Sequence, residues 1–114
     1  MYSLLKKMTF ICSLLLSTYV YSKELPLDGD WIDSSRSTFP IKAYLNNNII
    51  EIKSDEKVMN IIVRISDNDN YIYENTYNTE NPIHIIIDNN SNNKYLLEII
   101  TPNNNYLYCY FYIE

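Results

Sequence analysis

Few side chains in this sequence have both the type and the spacing to do chemistry. His84 is the single imidazole. A general base needs an oriented partner and a nucleophile within reach, and no Ser or Cys motif accompanies it. It alternates with Ile83 and Ile85 and shares its side with Ile86, so it reads as a half-exposed strand histidine. Asp28, Asp30 and Asp33 around Trp31, and Asp67 with Asp69, offer the clustered oxygens that hard cations take, but neither group runs on into the Gly and bidentate Glu of a calcium loop. Solvated turns, with Trp31 packed on one end of the domain, are the expectation, and no cofactor or metal is expected. Cys109 shares strand parity with Leu107, Phe111 and Ile113, which makes it a core thiol, where free Cys behaves as a small hydrophobe.

The strongest pattern is in the same segment. Tyr106, Tyr108, Tyr110 and Tyr112 all fall on the parity opposite those core residues. If this strand pairs with the one before it across the short turn at 102–105, then Leu96, Glu98 and Ile100 join the tyrosines, with Ile62 and Arg64 nearby. Cross-strand aromatic pairing that stiffens an exposed sheet accounts for part of such a stripe, each pair contributing about 0.2–1 kcal/mol. Tyr is also favoured at interfaces, and contiguous apolar patches seldom lie idle on monomers. The candidate binding residues are therefore Tyr106, Tyr108, Tyr110, Tyr112, Leu96 and Ile100. A protein partner or a second copy is the expected occupant, with a glycan stacked on the same tyrosines as the alternative. A slip of one residue in register would exchange the two faces.

The elements that must position these residues are legible from the texture of the chain. It has 114 residues with 9 Lys+Arg against 14 Asp+Glu, a net charge of -5, and one Gly. That length fits one small domain. An acidic chain with no basic cluster beyond Lys6 and Lys7 lacks the footprint that a phosphate backbone selects, so nucleic acid is not an expected partner.

Lys6 and Lys7 precede a largely apolar run over 8–20, with small Ser22 just beyond it, and residues 1–22 read as a cleaved secretory leader. The run is shorter than the roughly 20 apolar residues a span requires and is interrupted by Thr9, Ser13, Ser17 and Thr18, so the mature chain is expected to have no membrane span. Export to the periplasm, the cell surface or the medium follows. Removing 22 of 114 residues leaves 92 and takes away Lys6 and Lys7, so 7 basic residues face 14 acidic ones, a net of -7. Cys12 leaves with the leader and Cys109 alone remains, which excludes an intramolecular disulfide.

Residues 23–38 form a polar N-terminal segment, read as loop or edge structure from Pro26, Gly29 and the serines. From 39 to 114 short apolar runs recur, at 41–45, 49–53, 59–66, 71–77, 83–88, 95–100 and 106–113. Alternation such as Ile61, Val63, Ile65 against Ile62, Arg64, Ser66 is the period of strands, and the gaps are too short for crossover helices. The expectation is an all-β antiparallel sandwich of about seven short strands without a disulfide. Asn stands where glycine is usual in the turns, at 46–48, 68, 70, 89–90, 92–93 and 103–105, because it tolerates the left-handed conformation best among non-Gly residues. Asn89-Asn90-Ser91 also fits the N-glycosylation acceptor pattern, which matters only in a host with that machinery.

The order Leu25-Pro26-Leu27 with Gly29 and Trp31, Arg36-Ser37, Pro40, Ala43-Tyr44-Leu45, Tyr73-Glu74, the Tyr95, Leu97, Ile99 strand and the closing Tyr106-Leu107-Tyr108 with Phe111 and Ile113 resembles one family. It is a family of small exported immunoglobulin-like domains of unknown function from Bacteroidota-type bacteria. The resemblance implies an immunoglobulin-like sandwich, secreted or held in the envelope, with no catalytic residues to carry over. The pattern is also similar to the C-terminal sorting domains of type IX secretion, but no cargo domain accompanies it. The expected protein is a non-enzymatic binding module.

Overall fold

The computed structural model describes residues 22–31, 39–88 and 94–113. Residues 1–21, which are all but the last of the segment 1–22 read as a leader and include Cys12, lie outside the described residues, as do Asp33, Arg36, Ser37 and the Asn block at 89–93. Among the described residues nine strands follow in chain order: β1 (Lys23–Leu25), β2 (Asp28–Asp30), β3 (Ile41–Asn46), β4 (Ile49–Ser54), β5 (Ile61–Asp67), β6 (Asn70–Tyr77), β7 (Ile83–Ile86), β8 (Lys94–Ile100) and β9 (Tyr106–Tyr112). They form a four-stranded sheet in the order β1-β3-β4-β7 and a five-stranded sheet in the order β2-β9-β8-β5-β6. Every pairing is antiparallel.

The inner positions alternate as the sequence period requires. Ile41, Ala43, Ile50, Ile52 and Ile85 of one sheet meet Ile61, Val63, Ile65, Leu97, Ile99 and Leu107 of the other, each at most 2% exposed. Tyr95 stacks on Phe111 within this layer, centroids 5.4 Å apart, and Trp31 is half-buried against it. Cys109 is a free, buried thiol in the same layer.

The turns use asparagine as expected. Asn47, Asn68 and Asn104 take positive φ, as do Asp69 and, at the start of β5, Asn60. That left-handed Asn60 breaks the extended run, so β5 starts at Ile61 rather than Met59. The β8–β9 turn closes with Asn104 N–H donating to the Thr101 carbonyl at 3.0 Å.

The polar segment, read as loop or edge structure, supplies an edge strand to each sheet. β1 pairs with β3 through Leu25 opposite Ala43, and β2 pairs with β9 through Gly29 opposite Leu107. The sandwich therefore begins at Lys23, not at residue 39. Gly29 makes the second pairing feasible, because its φ is +131° and a Cβ there would stand 2.0 Å from the Tyr106 carbonyl oxygen. Three-residue strands with at most one apolar side chain carry too little periodicity to be read from sequence.

Candidate functional site

The outer face of the five-stranded sheet gathers the tyrosines. Directly opposed residues in an antiparallel pair share a face, so the registers define three rows across it. The first runs Tyr71, Ser66, Leu96, Tyr110; the second Glu74, Arg64, Glu98, Tyr108, Asp28; the third Thr76, Ile62, Ile100, Tyr106, Asp30. Lys94 opposite Tyr112 completes the face at one end. All six expected binding residues lie on it, with Ile62 and Arg64 beside them.

The stripe is not uniform. Tyr106 and Tyr108 are half-buried, whereas Tyr110 and Tyr112 are 55% and 57% exposed. The Tyr106 hydroxyl donates to Glu98 Oε2 at 2.6 Å, and the Tyr108 hydroxyl donates to Asp28 Oδ2 at 3.4 Å. Burial first, then the Glu98 carboxylate, pushes the Tyr106 phenol well above its ordinary value. The rings of Tyr106 and Tyr108 stack at 5.7 Å, and Tyr110 meets Tyr108 edge-on at 6.4 Å. Half of the stripe is thus a hydrogen-bonded, stiffening layer, and half is free aromatic surface. Leu96 and Ile100 are half-buried between them.

One residue that the alternation misplaces completes the face. A β-bulge interrupts the β5–β6 pairing, so Ile65 opposes Tyr73 while Ser66 opposes Tyr71, and Ile72 is the extra residue. Simple alternation puts Tyr71 on the inner side with Tyr73 and Tyr77; the bulge sends it outward, 66% exposed. Arg64 then lies over the Tyr71 ring at 4.7 Å while its Nε holds Glu74 Oε1 at 2.6 Å. Lys94 lies over the Tyr110 ring at 4.5 Å. No composition signal marks such a bulge in advance.

Charge on this face is acidic. Asp28, Asp30, Glu74 and Glu98 stand against Arg64 and Lys94, whereas the outer face of the four-stranded sheet balances Glu24 and Glu51 with Lys42 and Lys53 and holds one tyrosine, Tyr44. His84 lies on that second face, exposed, with Nε2 2.9 Å from Glu51 Oε2. Asp28 spends its other oxygen on the Gly29 N–H at 2.8 Å. Among the described residues no three His, Cys, Asp or Glu side chains converge as metal ligands. Burial pushes the Cys109 thiol up, only partly offset by Lys23, and its S–H donates to the Tyr110 carbonyl at 3.2 Å.

The comparisons agree with this architecture. No curated protein matches the chain. A solved protein from Bacteroides vulgatus ATCC 8482, described as a DUF3244 family protein with an immunoglobulin-like β-sandwich fold, is 28% identical. It superposes with a TM-score of 0.71 over 82% of this chain and 100% of its own. Residues 24–113 match the family described as "Domain of unknown function (DUF3244)", and the chain belongs to that family of immunoglobulin-like domains.

Proposed function

We infer that the chain is an exported, non-enzymatic binding module that docks a protein through the outer face of its five-stranded sheet. The observation that carries this reading is the asymmetry of the two outer faces. Five tyrosines, Tyr71, Tyr106, Tyr108, Tyr110 and Tyr112, stand on one and Tyr44 alone on the other. Tyr supplies large, rigid contact area with a polar tip, the composition found at the centre of interfaces. The surplus of carboxylates on the same face repels a second copy and suits a partner with a basic surface. Export rests on the leader-like residues 1–22.

The test is capture from envelope extract by residues 23–114, by a Tyr110→Ser, Tyr112→Ser variant and by a Tyr44→Ser control. A partner held by the native domain and the control but lost by the double variant is the expected result. Both replaced side chains are more than half exposed, so folding survives. Equal capture by all three contradicts the reading.

A further inference from the structure

At one end of the tyrosine face the first register row is not flat. Tyr71 and Tyr110 rise at its two ends, three strand spacings or roughly 14 Å apart, over a floor of Ser66 and Leu96. The depression between them encloses about 480 Å³ and is completed by Asn68, Asp69, Lys94 and Glu98. That volume lies within the usual range for small-ligand sites, about 300–1,000 Å³.

The floor carries an unsettled polar group. Ser66 is 5% exposed, and its hydroxyl has no hydrogen-bond partner among the described residues. Buried hydroxyls are ordinarily paired, and leaving one without a protein partner is costly. The Ser66 oxygen is covered by the side chains around it, so a ligand hydroxyl reaches it only when one of them moves aside.

We propose that this depression binds a neutral saccharide. A sugar ring offers a C–H face to an aromatic wall and a rim of hydroxyls that both donate and accept. The site matches both demands. Tyr71 and Tyr110 supply the walls, each ring steadied by a cation, Arg64 or Lys94. Lys94 and Asn68 donate, Asp69 and Glu98 accept, and Ser66 does either. With charges of both signs beside uncharged donors and acceptors, the lining suits a neutral polyol that can pair with each of them. The inference goes beyond protein docking and does not depend on it, because Tyr112 belongs to the docking surface but not to the lining of the depression.

An array of neutral oligosaccharides, probed with residues 23–114, tests it, followed by titration of the strongest binder. Binding is expected to weaken about tenfold in Tyr110→Ala, which removes a wall, and roughly fivefold in Ser66→Ala, the share of one neutral hydrogen bond. Tyr112→Ser should bind saccharide normally while losing protein capture, which separates the two readings. Free oligosaccharide and the same glycan on a protein should compete for the site. Silence across the array, or binding unchanged by both Tyr110→Ala and Ser66→Ala, overturns the proposal.

Discussion

Ser66 and Tyr106 meet opposite fates on one face, and each makes a prediction at the level of a single hydroxyl. Ser66→Ala removes a buried oxygen that nothing in the described structure satisfies, so the folded state should gain up to about 1 kcal/mol, read as a raised thermal midpoint. A lowered midpoint would mean the hydroxyl has a partner in the folded protein. Tyr106 is the reverse case, because its hydroxyl is held by Glu98. Its pKa is raised above the ordinary value of 10.0, by burial and then by the carboxylate. Above about pH 10 the unfolded chain gives up this proton while the folded one keeps it, so stability is flat below that pH and falls as pH rises above it. Tyr77, raised by burial and by its hydroxyl contact with Tyr73, pulls the same way. Urea midpoints at about pH 8 and pH 11 should show the drop, and Tyr106→Phe should shrink it; an equal drop in that variant would assign the effect elsewhere. Cys109, buried and with its pKa raised, should resist thiol reagents at neutral pH until denaturant opens the core. Rapid labelling of the folded protein would contradict its placement.

Strands rather than residues decide which side chains reach the candidate site. Gly29 lets β2 seat against β9, and that pairing sets Asp28 beside Tyr108 and Asp30 beside Tyr106. Gly29→Ala should therefore cost at least about 1–3 kcal/mol, since φ is positive and the new Cβ meets backbone. A change within about 0.5 kcal/mol would show that β2 pairs only weakly. Most of this level could be read in the sequence. The period-2 alternation of Leu107, Cys109, Phe111 against Tyr106, Tyr108, Tyr110 fixes the inner and outer faces of β9, and the short Asn-rich turn makes β8 its neighbour. Asn47, Asn68 and Asn104 take the left-handed φ that their turns require. Two features escaped for definite reasons. β1 and β2 have three residues each, too few for a period to show, and their anchors are one buried Leu and one Gly. The bulge at Ser66 depends on how β5 and β6 settle against each other, and it alone moves Tyr71 outward to face Tyr110 across the depression. The exposed tyrosines were thus legible on β9 and hidden on β6.

The whole molecule is a sandwich with two unlike outer surfaces. The inner faces of both sheets are the continuous apolar layer that a domain of this size needs without a disulfide. Outside, the four-stranded sheet balances its charges, while the five-stranded sheet concentrates aromatic rings and carboxylates. If the leader is removed as its pattern implies, the exported protein should begin at Lys23, which N-terminal sequencing of the exported form would show; a start within the apolar run would place the boundary elsewhere. Because the face is acidic, docking of a basic partner should weaken as salt is raised from about 0.05 to 0.5 M, the range over which screening shortens from beyond 10 Å to a few Å. Salt-independent capture would point to an apolar contact alone. The most direct test of the central claim is a hydrogen-exchange footprint of residues 23–114 with and without the captured partner. Slowed exchange confined to β8, β9 and the 66–71 segment is the predicted result. Protection over β3, β4 and β7 instead would put the binding surface on the opposite sheet and contradict the account.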